Sequence, residues 1–165
     1  MTWGITRADK LFLPGVVRPH ITHESFFPSA LREFQVELAG RLALSDAAGD
    51  EVRRWRERYG FTQSALAPLL ELRRESLSRI ESGRVALTLP VLVRFTRLIT
   101  LARGVREHLA FVEARGNVPD GRHLDMLGMV LRLSKATADD VVLEATMQYD
   151  KKKRQALRGV PSTRV

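Results

Sequence analysis

Apolar residues at helical spacing recur along most of this chain, and their interruptions mark out its segments. Leu31, Phe34, Leu38 and Leu42 follow i, i+3, i+7, i+11 and predict a helix over 29–44, with Ser29 as its cap. Ser45-Asp46-Ala47-Ala48-Gly49 breaks the pattern. Asp50 is then placed to cap a helix over 51–59 that buries Val52 and Trp55. Two shorter patterns follow, in which Phe61, Leu66, Leu70, Leu77 and Ile80 can face one core. Thr62 suits an N-cap, and Gly83 suits a left-handed stop. Thr88 opens another helix with Pro90 in its first turn, and Val91, Leu92, Phe95, Leu98, Ile99 and Ala102 form its stripe. Gly104 either breaks or bends this helix before a segment over 105–115. Gly116 to Gly121 reads as a linker. Beyond it, 122–133 is apolar nearly all round, which implies burial on several sides. Thr137-Ala138-Asp139-Asp140 approximates a capping box for a last helix reaching about Leu157.

Residues 1–28 lack a helical period and contain Pro14, Pro19 and Pro28. They read as an arm, with short strands at Leu11-Phe12-Leu13 and Val16-Val17 around Pro14-Gly15. The expected organisation is an arm over 1–28, a flanking helix over 29–46, a helix-turn-helix domain over 50–115 and a helical pair over 120–158, a candidate dimerisation element.

Charge adds direction to this picture. The 165 residues carry a net charge of +8. Between Glu51 and Arg106 there are twelve arginines and five glutamates, so nearly all the excess sits on the central helices. A basic module attracts polyanions, because each neutralised phosphate releases counterions. Arginines outnumber lysines 22 to five, a ratio that genome composition can set; the clustering points to function.

Other classes find little support. No cysteine is present, which excludes disulfides and thiolate metal sites. His20 and His23 are too few for a metal site, and His108 and His123 have no local partner in sequence. No phosphate loop, H-E-x-x-H or G-x-S-x-G occurs, so the chain reads as a non-enzyme without cofactor or metal. The longest apolar run, Leu98 to Ala102, is far too short for a membrane span. Met1-Thr2-Trp3-Gly4 begins no signal-peptide pattern, so a soluble, cytoplasmic, nucleoid-associated protein is expected.

One stretch carries a specific resemblance. Gly60-Phe61-Thr62-Gln63, Leu66-Ala67 and Ser78-Arg79-Ile80-Glu81-Ser82-Gly83 resemble the Xre/phage-repressor helix-turn-helix family, over about residues 50–100. Ala43-Leu44-Ser45-Asp46 and Trp55-Arg56-Glu57 also resemble a group of archaeal predicted regulators with the same domain. Three residues depart from the family pattern. Glu71 replaces the usual turn glycine, Arg73 replaces the hydroxyl cap of the second helix, and Pro68 falls inside the first.

The resemblance implies an all-α fold: a five-helix, lambda-repressor-like core with an N-terminal arm and helix and a C-terminal helical extension. It implies a transcriptional regulator that binds double-stranded DNA sequence-specifically, as a homodimer. Its second helix would lie in the major groove and present Arg74, Glu75 and Arg79 to base edges. Arginine can donate two hydrogen bonds to guanine, and glutamate can accept from the cytosine amino group. Glu75 and Arg79 at i, i+4 can instead pair with each other. Gln63, Arg73, Ser76, Ser82 and Arg84 are phosphate candidates, and Arg56 and Glu81 match a structural ion pair of the family. Lys151-Lys152-Lys153-Arg154 reads as a solvated helix end or a contact to a flanking phosphate. Met126, Met129 and Met147 suit a core, a dimer surface or an effector pocket; whether a small-molecule effector exists is open. The competing classes are a coactivator-like or antitoxin-like interaction module and a nucleoid protein without sequence preference.

Overall fold

In the computed structural model, which describes residues 28–116 and 121–158, the described chain forms α-helices with no strand. The helices are α1 (Ser29–Leu44), α2 (Ala48–Tyr59), α3 (Gln63–Leu69), α4 (Arg74–Glu81), α5 (Leu89–Arg115), α6 (Gly121–Val130) and α7 (Lys135–Arg158). The short strands expected at Leu11-Phe12-Leu13 and Val16-Val17 lie outside the described residues.

α5 is the axis of the molecule. Phe95, Leu98, Ile99, Leu101, Ala102 and Val105 are fully buried and point to more than one side of it. α1, α2, α6 and α7 all pack against it. Two threonines lie in this apolar helix, and each satisfies its hydroxyl within the helix. Thr96 Oγ1 donates to the Val93 carbonyl at 2.8 Å, and Thr100 Oγ1 to the Thr96 carbonyl at 2.7 Å.

Gly104 neither breaks α5 nor marks a boundary. A Cβ there would lie 2.3 Å from Leu127 Cδ2 and 3.2 Å from Leu31 Cδ1. The glycine lets α1 and α6 approach α5 closely. As a result the two helices expected on either side of Gly104 are one, and the stretch from Ala48 to Arg115 holds four helices rather than five.

α1 buries Leu31, Phe34, Leu38 and Leu42, the stripe that the spacing predicts. Three caps differ from expectation. Pro28, not Ser29, occupies the N-cap of α1. α2 starts at Ala48, so Asp50 lies in its first turn instead of capping it. Ser134 caps α7, accepting the Thr137 N–H at 3.2 Å. Lys135 and Ala136 extend this helix ahead of the capping-box pattern, with Lys135 paired to Asp139 at 3.0 Å. Thr88 holds the N-cap position of α5 but makes no side-chain cap bond.

The C-terminal pair folds back on the rest. Leu124, Leu127 and Leu131 are buried, as are Ala138, Val141 and Ala145 of α7. Burial of 122–133 is one-sided, however: Met129 is exposed, while Met126 and Val130 are half-buried. Farther along α7, Tyr149 and Lys153 both bond Glu113 of α5. These two bonds, Lys153's first, hold the Glu113 carboxyl below the usual range.

Candidate nucleic-acid interface

α3 and α4 are short helices joined by the turn Leu70–Arg73. Thr62 caps α3: its Oγ1 accepts the Ala65 N–H at 3.1 Å. Pro68 is tolerated because it stands one residue from the end of α3, and the carbonyl it leaves unbonded belongs to exposed Ser64. The turn closes through Glu71 N–H to the Pro68 carbonyl at 2.9 Å and Leu72 N–H to the Ala67 carbonyl at 2.9 Å. Glu71 does what a glycine would: it takes a left-handed conformation, at φ 58°. Its carboxylate pairs with Arg94 Nη1 at 2.8 Å, and Arg94 Nε donates to the Leu69 carbonyl at 2.6 Å. α5 thus fastens both sides of the turn. Gly83, at φ 70°, stops the chain after α4.

Behind α4 lies a buried polar network. Arg56 Nε donates to Glu81 Oε1 at 2.6 Å and Arg56 Nη2 to Glu81 Oε2 at 3.0 Å, a two-pronged pair. Arg56 Nη1 also reaches the Phe61 carbonyl at 2.8 Å. The Gln63 side-chain amide donates to Glu81 Oε2 at 2.8 Å. Exposure of the Arg56 and Glu81 side chains is only 10% and 3%. One network therefore joins α2, the entry to α3 and the end of α4, which fixes their mutual angle.

The outer face of α4 differs in kind. Arg73 sits at its N-cap with no side-chain cap bond. Arg73, Arg74, Glu75, Arg79 and Arg84 are all exposed, and Ser76 is half-buried. Glu75 and Arg79, though spaced i, i+4, do not pair. Among the described residues none of these four arginines has a carboxylate partner. Two phosphate candidates are partly committed inside the molecule. Gln63 spends a donor on Glu81, and Ser82 Oγ donates to the Arg79 carbonyl at 3.2 Å.

Residues 47–109 match the helix-turn-helix domain family. The match runs from the N-cap of α2 into α5 and covers fewer than half of the residues. It supports DNA as a partner of this chain. No curated protein and no solved structure matches the chain. Within the helix-turn-helix domain, Gly49 is a positioning residue that the sequence reading misses. A Cβ there would stand 2.1 Å from the Ile80 carbonyl oxygen, so only glycine lets α2 begin against the end of α4. The run Ala47-Ala48-Gly49 looks like a loop; small residues at a helix contact carry the same signal.

A second basic group lies beside the domain. Arg106 donates to the Arg58 and Tyr59 carbonyls at 3.0 and 2.7 Å, and Lys152 of α7 donates to the Arg58 carbonyl at 3.1 Å. These cations cap the C-terminal end of α2. Burial, and after it the neighbouring cations, pushes the Lys152 amine below its ordinary range. Lys152, read from sequence as solvated or phosphate-facing, is thus a link between α7 and α2. His108 and His123, distant in sequence, stack at 5.4 Å between α5 and α6. Among the described residues no helix is long and apolar enough to cross a membrane.

Proposed function

We propose that this protein is a non-enzymatic transcriptional regulator of the Xre helix-turn-helix type, binding double-stranded DNA sequence-specifically as a homodimer. The observation that carries the reading is the contrast between the two faces of α4. The inner face is locked by the Arg56–Glu81–Gln63 network, and the outer face presents arginines with no carboxylate partner among the described residues. Unpaired cations on a rigid helix need no rearrangement before meeting a duplex. In this reading α4 enters the major groove, Arg74 and Arg79 reach guanine edges, and Glu75 accepts from a cytosine amino group. Arg73, Ser76 and Arg84 bind phosphates, with Ser82 and the remaining capacity of Gln63 in support. The carboxylate of Glu75, which has no ion-pair partner among the described residues, favours specific readout over a nucleoid role, because it repels any backbone placed against it.

Selection of bound duplexes from a random pool, read at several salt concentrations, tests the proposal. The expected result is a sharp motif of two inverted half-sites, with log affinity falling several units per decade of salt. Binding without a motif would indicate a general DNA-binding protein. A nearly flat salt dependence, or no binding, would indicate an interaction module. Sedimentation of the full chain tests the homodimer, and a monomer at the concentrations that saturate DNA would contradict it.

A further inference from the structure

A cleft of about 730 Å³ opens between the α3–α4 turn, the first turns of α5 and the α6–α7 turn. That size suits a small organic ligand. Its walls are largely apolar: Leu70, Leu72, Val91, Val93 and Leu133 line it, and Leu89 at its rim is 70% exposed. Its charges are unbalanced. Arg94, Arg97 and Arg132 stand on it, against the single carboxylate of Glu71. Arg94 is held by Glu71 and the Leu69 carbonyl, whereas Arg97 and Arg132 have no ion-pair partner among the described residues. The backbone singles out the same place. Glu71 (φ 58°) and Arg132 (φ 55°) are the non-glycine residues at positive φ among those described, and both line this cleft. Such conformations cluster at ligand clamps and switches.

We propose that this cleft binds a small amphipathic carboxylate, its hydrocarbon body against the leucine and valine walls and its carboxylate between Arg97 and Arg132. Guanidinium forks match a carboxylate, and an apolar lining selects against small hydrated anions. The ligand bears on the helix-turn-helix through the turn it touches. Its hydrocarbon body packs on Leu70 and Leu72, the turn residues beside the Glu71–Arg94 pair, and so biases the angle between α3 and α4. This regulatory consequence rests on the DNA-binding reading; the binding site does not.

The probe is decanoate below its micellar concentration, titrated calorimetrically into the full chain. The expected result is saturable binding at one site per chain. The double change Arg97→Gln with Arg132→Gln should weaken it about tenfold or more, because two charge-assisted contacts are lost. Neither side chain holds an ion pair among the described residues, so the variant should melt with the wild type. Decyltrimethylammonium, with the same chain length and opposite charge, should not bind, and inorganic phosphate should not displace decanoate. No decanoate binding, equal binding by the double variant, equal binding of the cation, or displacement by phosphate would each overturn the site. Loaded with decanoate, the protein should change its duplex affinity several-fold. Unchanged affinity at saturating decanoate would overturn the coupling. A chain that binds no duplex at all would refute the DNA reading, while the calorimetry still decides the cleft.

Discussion

Two side-chain arrangements decide the shape of the helix-turn-helix, and each has a direct test. Removing the Glu81 carboxylate leaves the Arg56 guanidinium buried with only carbonyl and partial carboxylate contacts. Breaking a buried pair costs about 3–5 kcal/mol, much of it from the stranded charge. Glu81→Ala should therefore lose about that much in denaturant unfolding. The double change Arg56→Leu with Glu81→Leu should recover part of the loss, since neither charge is then stranded; additive losses would show that the two do not act together. Glu71 presents the opposite case. It holds φ 58°, where a side chain costs roughly 1 kcal/mol or more, and its carboxylate is exposed, so that its pair with the half-buried Arg94 is screened by solvent and worth less than that. Glu71→Gly should stabilise the fold by about 1 kcal/mol in the same assay. A destabilised variant would mean that the Arg94 contact outweighs the strain.

At the level of elements, small residues set the distances between helices. Gly49 meets α4 backbone, which cannot swing aside as a flexible side chain can. Gly49→Ala should destabilise by about 1–3 kcal/mol and displace α4 from α2, visible as a lower melting temperature and shifted amide resonances along 74–81. A variant that melts with the wild type would contradict the close approach. The stripe of α1, the Thr62 cap and the left-handed Gly83 were legible in the sequence, because spacing and capping chemistry act over a few residues. Gly104 and Gly49 were not legible as packing residues. Their role depends on Leu127, Leu31 and Ile80, which are distant in sequence, and a glycine looks the same whether it bends a helix or admits a neighbour. The start of α7 was misplaced for a related reason: a capping box at Thr137 looked stronger than the lone Ser134 that caps. The residues of the outer face of α4 could be named from the resemblance, but their lack of carboxylate partners among the described residues could not.

Across the whole molecule, the helix-turn-helix is embedded, not appended. α5 supplies Arg94 to its turn, and α7 supplies Lys152 to the end of α2. Among the described residues no carboxylate occupies Arg73, Arg74, Arg79 or Arg84 on the outer face of α4, the surface proposed to meet DNA. The most direct test crosses Arg79→Ala with single base-pair changes in the selected duplex, measuring affinity at one fixed salt concentration. If Arg79 reads a guanine, the variant loses about 1–3 kcal/mol of discrimination at one base pair and keeps its preferences elsewhere. If Arg79→Ala weakens all duplexes equally and leaves every base preference intact, its guanidinium meets only phosphate, and α4 does not read sequence in the way proposed.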